Sequence, residues 1–154
     1  MTRILVTGAT GFIGQSLVPA LAGKGFTVRA AARDPSRIAR GPNIEPVAMP
    51  DLARPADWTA ALDEVSHVVH LAGIAHAPGA LPDDVYTRIN SDAVAELASQ
   101  AKGRIGRFVL MSSRDSIGGG PYIVEEAWPL GGIDTYRGSA SLSASDSAAS
   151  RIMR

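Results

Sequence analysis

The sequence predicts an α/β fold, with a doubly wound parallel sheet in the strand order 3-2-1-4-5. Short apolar, β-branched segments alternate with segments of helical periodicity over residues 1–113, and a glycine-rich turn joins the first pair. Strands that alternate with helices form parallel sheets with right-handed crossovers and helices on both faces. At 154 residues, the chain is long enough for one domain with a hydrophobic core.

Three apolar segments in the first third of the chain are predicted to be strands: residues 3–7, 26–32 and 44–49. The first, RILVT, is typical of a strand that is buried on both faces. Residues 12–22 are predicted to be a helix, because Phe12, Ile13 and further apolar residues recur on one face. Pro19 lies inside this helix and should kink it mildly, and the glycines at 23 and 25 should end it.

The next segments complete the alternation. A helix is predicted from Pro55, a residue type that suits the first helical turn, to about Glu64. Residues 66–73 are predicted to be the fourth strand, and residues 106–113 the fifth. Between these strands, residues 83–102 should form a long helix, whose inner face would comprise Val85, Ile89, Val94 and Leu97.

The last part of the chain differs in composition. From Arg114 onward the hydrophobic patterning decays, and residues 139–150 are rich in serine and alanine. Glu125 and Glu126 are interpreted as part of a polar loop. The sequence therefore divides into a domain over residues 1–113 and a weakly packed tail over residues 114–154 that cuts the fold short.

Composition excludes several classes of function. The formal net charge is zero, so no bulk attraction to nucleic acid or an anionic membrane is expected. The absence of cysteine excludes disulfides, thiolate metal sites and a cysteine nucleophile. His67 and His70 should lie on opposite faces of their strand, so no metal site is expected. No signal-peptide pattern and no run of about 18 apolar residues occurs, and a cytoplasmic location is expected.

The glycine-rich turn has a direct physical interpretation. In TGATGFIG, residues 7–14, three glycines stand between a buried strand and a helix. Gly8 would allow the tight turn, Gly11 would let the backbone approach a pyrophosphate, and Gly14 would let the helix pack against the strand. The free N–H groups of the helix N-terminus would then bind the phosphates. This turn indicates a dinucleotide-binding fold of the Rossmann type.

TGATGFIG resembles the short-chain dehydrogenase/reductase superfamily, and specifically its extended branch of sugar-nucleotide epimerases and dehydratases similar to UDP-glucose 4-epimerase. Further matching stretches follow in chain order: VRAAARDP, Asp51-Leu52, HLAG at 70–73, Asn90 and RFVLMSS at 107–113. The resemblance implies that the cofactor-binding residues are Gly8, Gly11, Phe12, Ile13, Gly14, Arg33, Asp51, Leu52, Leu71, Ala72, Gly73, Asn90 and Ser112.

The end of the second strand bears on the choice between NAD and NADP. NAD-selective sites place a carboxylate there to accept a hydrogen bond from the ribose 2′-hydroxyl. Here the strand ends in Arg33, and no carboxylate occurs until Asp34. Because an arginine can pair with a 2′-phosphate, the sequence favours NADP slightly over NAD.

The resemblance implies a catalytic group of serine, tyrosine and lysine, with the lysine four residues after the tyrosine. Ser113 is the matching serine, and Tyr136, 23 residues later, is the best candidate tyrosine. The lysine position is then Ala140, and the only lysines in the chain are Lys24 and Lys102. This departure from the family pattern places proton transfer by Tyr136 in question.

The resemblance implies an NAD(P)-dependent nucleotide-sugar epimerase or dehydratase that transfers a hydride at a sugar carbon, here catalytically incomplete. The alternative is a non-catalytic NAD(P)H-binding module that acts as a redox sensor or an assembly subunit. A third hypothesis is a nonfunctional fragment with an uncovered fifth strand. Truncation or a frameshift after Ser113 would explain the divergent tail. For the assembly of the chain, a homodimer is one possibility.

Overall fold

A six-stranded sheet forms the centre of the computed structural model, which describes residues 2–74, 81–113 and 123–128, with the backbone alone at 112–113 and 123–128. The spatial order is β3-β2-β1-β4-β5-β6. The first five strands are parallel, which confirms the predicted order 3-2-1-4-5. The strands are β1 Arg3–Thr7, β2 Thr27–Ala32, β3 Ile44–Ala48, β4 His67–His70, β5 Arg107–Ser113 and β6 Ile123–Trp128.

The position of each strand follows from its sequence. β1 lies at the centre, and Leu5 and Val6 are fully buried on its two opposite faces, as expected for an apolar, β-branched strand. β3 pairs with β2 and contains Pro46. Proline cannot donate a backbone hydrogen bond, so an edge strand is where it is tolerated.

The helical segments cover both faces of this sheet. They are α1 Gly14–Gly23, a 3₁₀ turn Pro35–Arg37, α2 Asp83–Thr87, a π-helical turn Arg88–Asp92, and α3 Ala93–Ala101. Pro19 is accommodated inside α1, as predicted. None of the helices within residues 2–74 and 81–113 is long and apolar enough to cross a lipid bilayer.

The helix predicted over residues 55–64 is wrong, because residues 55–58 are irregular and residues 59–64 form turns. One of the segment's backbone hydrogen bonds has helical spacing, from the N–H of Leu62 to the carbonyl of Trp58 (2.8 Å), but side chains take others. The N–H of Trp58 donates to Oε1 of Gln100 (2.8 Å), and Nε2 of Gln100 donates to the carbonyl of Ala56 (2.8 Å). Asp57 accepts from the N–H two residues further on, a local bond that competes with helix formation.

The long helix predicted over residues 83–102 is interrupted. α2 and α3 are joined by the π-helical turn Arg88–Asp92, so the backbone stays helical throughout and is wider over this one turn. Turns of this kind inside helices often occur at functional sites. Val94 and Leu97 are buried as predicted, whereas the predicted inner residues Val85 and Ile89 are partly exposed.

The polar loop predicted around Glu125 and Glu126 is also wrong. Both residues belong to β6, which pairs antiparallel with β5, so that Glu126 lies opposite Leu110. β5 is therefore paired along both edges, with β4 and with β6. The uncovered fifth strand expected of a nonfunctional fragment does not occur.

Two apolar clusters bury the opposite faces of the sheet. One contains Leu5, Trp58, Leu97 and Phe108, together with the turns after β3. The other is built around β1, β2 and α1, with Val18 as the α1 residue that is 3% exposed. The sheet is thus covered on both sides, which leaves its strand ends as the accessible edges.

Replacement of Leu97 by alanine should destabilise the fold by about 2–5 kcal/mol, because Leu97 is fully buried and its loss leaves a cavity. The matched control is Leu17→Ala, the same change at a partly exposed position of α1, which should cost clearly less. Urea unfolding followed by circular dichroism measures both values. Equal losses in the two variants would contradict this packing.

Candidate functional site

The candidate site lies at the carboxyl ends of the parallel strands, where ligands bind in open α/β sheets. The turn after β1 is held there by backbone hydrogen bonds. The N–H of Ala9 donates to the carbonyl of Ala31 at the end of β2 (3.1 Å), and the N–H of Gly11 donates to the carbonyl of Gly8 (2.9 Å). The glycine turn is therefore fixed beside β2 by the protein's own backbone.

Each of the three glycines has its own steric reason. Gly8 has φ +67°, and a Cβ there would lie 2.9 Å from the backbone nitrogen of Ala72. A Cβ at Gly14 would lie 2.7 Å from the Cα of Ala9 and would also overlap the carbonyl of Gly8. At Gly11, a Cβ would be 3.1 Å from the same carbonyl. Only glycine permits β1, β4 and α1 to approach one another this closely.

The N-terminus of α1 opens toward the same edge. No side chain among the described residues caps it. The N–H groups of Gln15 and Ser16 already donate to the carbonyls of Gly11 (3.0 Å) and Ile13 (3.1 Å), so an anion here would be met by the N–H groups that precede Gln15. Phe12 is 95% exposed and Ile13 is 38% exposed. The prediction that both lie on the buried face of the helix is wrong, because α1 begins only at Gly14 and both residues belong to the turn.

Arg33 and Asp34 follow β2 directly, and both are exposed. Asp34 Oδ1 accepts hydrogen bonds from the Ser36 hydroxyl (2.6 Å) and from the Ser36 N–H (3.1 Å). These bonds lower the pKa of the Asp34 carboxyl below its ordinary value. The carboxylate thus starts the 3₁₀ turn, and Arg33 has no acidic neighbour bonded to it in the described part of the chain.

Asp51 and Leu52 lie in the turns after β3 and differ in environment. Asp51 is exposed, and its Oδ1 accepts from the N–H of Ala53 (3.0 Å). Leu52 is only 7% exposed and packs in the core with Trp58. The Leu52 side chain therefore supports the site from beneath rather than facing solvent.

A buried network joins the ends of β1 and β4. The Thr7 Oγ1 atom lies 2.8 Å from Nδ1 of His70 and accepts from the N–H groups of Leu71 (3.1 Å) and Ala72 (3.2 Å). Thr7 and His70 are 0% and 1% exposed. Burial lowers the pKa of His70 from 6.5 to about 4, and a backbone hydrogen bond with Ala72 partly opposes this. His70 is therefore neutral at pH 7.

Asn90 acts on the loop that follows β4. From the π-helical turn, its Oδ1 accepts from the N–H of Ile74 (2.8 Å) and its Nδ2 donates to the carbonyl of Ile74 (2.8 Å). A Cβ at Gly73 would lie 2.9 Å from Asn90 Oδ1, which explains the glycine there. Asn90 thus holds the backbone of the loop with both atoms of its amide.

The two predicted serines close the row of strand ends. Ser112 and Ser113 are the last residues of β5, and they pair with Val124 and Ile123 of β6. Because β5 is parallel to β4, the backbone of Ser113 lies at the same edge of the sheet as the glycine turn. Tyr136 and position 140 lie outside the described residues.

Sequence reasoning missed the residues that hold this edge in place. Thr7 and His70 fix the end of β4, and Arg88 fixes the turns after β3 by donating to the carbonyl of Arg54 (2.6 Å) and to Glu96 Oε2 (2.7 Å). The signal for the first pair was present in the sequence, because Thr7 and His70 are the first residues of the recognised motifs TGATGFIG and HLAG. Arg88 and Glu96, eight positions apart on a helix with a π-helical turn, gave none.

Comparison with known proteins identifies the family that this chain resembles. A sequence model of the NAD dependent epimerase/dehydratase family matches residues 4–137. This match confirms the resemblance drawn from TGATGFIG. The described parts of the chain contain no group of three or more side chains that could hold a metal ion.

Individual relatives cover the same region. The chain is 34% identical over 128 residues to a 3 beta-hydroxysteroid dehydrogenase/Delta 5-->4-isomerase of Mycobacterium tuberculosis, covering 79% of this chain and 34% of that protein. It is 33% identical over 115 residues to a UDP-glucose 4-epimerase of Vibrio cholerae, covering 71% and 34%. Among solved structures, MoeE5 in complex with UDP-glucose and NAD superimposes with a TM-score of 0.62 at 32% identity, covering 77% and 38%. The chain spans about a third of the length of these curated relatives.

Gly14→Ala should disrupt the site and destabilise the protein, because its Cβ has no space between Gly8 and Ala9. The control is Gly23→Ala, where a Cβ meets nothing within 4 Å and alanine should favour the helix by about 0.5–1 kcal/mol. Thermal unfolding of both variants gives the comparison. A Gly14 variant as stable as the Gly23 variant would overturn this account of the turn.

The buried neutral His70 should make stability depend on pH. Its pKa is lower in the folded state than its ordinary 6.5, so its contribution is complete above pH 6.5 and declines as the pH falls toward about 4. The loss should reach at most about 3 kcal/mol, because the unfolded chain takes up the proton first. Urea unfolding between pH 7 and pH 4.5 measures the slope. The same slope in a His70→Asn variant would show that another group causes it.

Proposed function

The chain belongs to the NAD-dependent epimerase/dehydratase family, and we propose that it binds NAD or NADP across the carboxyl ends of β1, β2 and β4 as the cofactor-binding part of a nucleotide-sugar epimerase or dehydratase. The observation that carries the proposal is the N-terminus of α1, without a side-chain cap, behind a turn in which Gly8 and Gly14 leave no room for side chains and Gly11 leaves little.

The phosphate part of the proposal rests on backbone chemistry. A dinucleotide pyrophosphate seated on this turn would accept hydrogen bonds from N–H groups at the start of α1 and would lie at the positive end of its dipole. The exposed side chains of Phe12 and Ile13 flank the same turn. Burial of their apolar surface by a bound cofactor would add to the affinity.

The adenosine end of the cofactor would lie between the ends of β2 and β3. Arg33 is exposed there, while the Asp34 carboxylate is engaged by Ser36. A guanidinium with no acidic partner suits a 2′-phosphate, and a carboxylate already bonded to its own turn is a poor acceptor for a 2′-hydroxyl. We therefore favour NADP over NAD for this chain.

The nucleotide-sugar substrate is supported by two of the similar proteins. One is named as a UDP-glucose 4-epimerase, and the other was solved with UDP-glucose and NAD. A bound nicotinamide cofactor would exchange a hydride with a sugar carbon. Ser113, at the end of β5, is proposed to bind the reacting substrate oxygen, and Tyr136 is the candidate acid and base.

Position 140 favours a second candidate function. The resemblance places a lysine there to lower the pKa of the tyrosine, and this chain has Ala140. A tyrosine with an unperturbed pKa of about 10 is only about 0.1% ionised at pH 7. The second candidate is therefore a non-catalytic NAD(P)H-binding module, with residues 1–113 as the binding domain and residues 114–154 as a separate tail.

Calorimetric titration of the full chain with NADPH and NADH tests binding and cofactor choice together. Arg33→Ser should weaken NADPH binding about tenfold, since a charge-assisted bond to the 2′-phosphate is lost, and should leave NADH binding nearly unchanged. Arg40→Ser is the matched control, because Arg40 is exposed beyond the 3₁₀ turn. An equal loss for both cofactors would contradict the role of Arg33.

A turnover assay then separates the two candidate functions. The chain is incubated with cofactor and UDP-glucose, and epimerised, dehydrated or oxidised sugar is measured. Product formation supports the enzyme. Tight cofactor binding without product favours the non-catalytic module, and failure to bind either cofactor contradicts both.

A further inference from the structure

We propose that Thr7 and His70 form a positioning pair. In this pair the Thr7 hydroxyl donates a hydrogen bond to Nδ1 of His70, and its two lone pairs accept hydrogen bonds from the N–H groups of Leu71 and Ala72. His70 is thereby held as the neutral tautomer with its proton on Nε2, a buried atom that has no hydrogen-bond partner among the described residues, so the contact at Nδ1 decides the tautomer. The pair fixes the backbone at the end of β4 against which the cofactor binds. This last step rests on the proposed function, whereas the tautomer does not.

The direction of the protons follows from a count at one oxygen. A threonine hydroxyl has one proton to donate and two lone pairs to accept with. The N–H groups of Leu71 and Ala72 occupy both lone pairs, at 3.1 and 3.2 Å. The contact of 2.8 Å with His70 Nδ1 is then satisfied only when Oγ1 donates. A proton on Nδ1 would leave two donors facing each other.

The ring of His70 has no freedom to avoid this choice. It is 1% exposed. The Trp58 ring lies edge-on to it, with the centroids 6.4 Å apart and the planes at 77°, and the Phe108 ring stacks on it at 6.4 Å and 30°. A flipped ring would carry Nδ1 away from the hydroxyl and would place a carbon against it, which is costly for a buried polar group.

The consequence reaches the edge where the cofactor would lie. The peptide planes place each carbonyl opposite its N–H group. Because the N–H groups of Leu71 and Ala72 point at Thr7, the carbonyls of His70 and Leu71 point away from it. The same backbone is in contact with Gly8, since a Cβ there would lie 2.9 Å from the Ala72 nitrogen. One hydroxyl thus sets which polar groups β4 presents beside the glycine turn.

Nitrogen NMR of the full chain, labelled with ¹⁵N at histidine, tests the tautomer directly at pH 7. The expected signature for His70 is an unprotonated Nδ1 and a protonated Nε2. His70→Leu identifies the resonances by their disappearance. A protonated Nδ1 would overturn the proposal, whether or not the chain binds a cofactor.

Four variants test the positioning role. Thr7→Val keeps the shape and removes the hydroxyl, so NAD(P)H binding should weaken about fivefold to tenfold, and amide exchange at Leu71 and Ala72 should accelerate. Thr7→Ser should restore both to within about twofold, because the hydroxyl is retained. His70→Asn, whose Oδ1 replaces Nδ1, should bind the cofactor better than His70→Gln.

Val28→Ala is the control for stability alone, since Val28 is fully buried on the neighbouring strand, where it lies opposite Ile4 rather than Thr7. It should lower stability without a selective change at Leu71 and Ala72. Two results would overturn the positioning role. In the first, Thr7→Val has the cofactor affinity and the amide exchange rates of the parent chain. In the second, Thr7→Ser loses as much affinity and protection as Thr7→Val. If the parent chain binds neither cofactor, the proposed function fails, and the amide exchange of the same variants still decides the role of the pair.

Discussion

The close approach of three backbones at Gly8 is the constraint on which the rest of the site depends. The end of β4 lies against Gly8 so tightly that a Cβ would come within 2.9 Å of the Ala72 nitrogen, and α1 begins against the carbonyl of the same residue through Gly14. A side chain at either glycine would push α1 or β4 outward. The uncapped helix N-terminus, the Thr7 hydroxyl and the peptide groups of Leu71 and Ala72 meet only because these backbones converge.

The features that could be predicted from the sequence are those whose cause is local. A strand such as RILVT is buried on both faces, and its continuous apolar character records that burial in five residues. The glycines of TGATGFIG report steric contacts across one turn, and parallel strands with intervening helices then leave few topologies. For these reasons the order of β1 to β5 and the place of the candidate site both followed from the sequence.

The features that could not be predicted depend on partners distant in the chain. Residues 55–64 have the composition of a helix, but Gln100 takes the backbone bonds around Trp58 from more than forty positions away. Glu125 and Glu126 are poor strand formers, and only pairing with β5 makes them a strand. Phe12 fitted the apolar periodicity of a helical face and was therefore assigned to the helix. The start of α1 is set instead by the packing of Gly14 against the turn, which periodicity does not reveal.

The cofactor binding and the turnover proposed for this chain draw on different parts of it. The glycine turn and the Thr7–His70 pair are held by contacts within residues 2–74, while Asn90 and Arg88 add support from the helical segment before β5. None of these contacts involves a residue beyond Ser113. The proton transfer proposed for Tyr136 instead requires a cation near the phenol, and Ala140 does not supply one. Without that charge, the barrier for the proposed proton transfer would be higher, while the contacts proposed for the pyrophosphate would be unchanged.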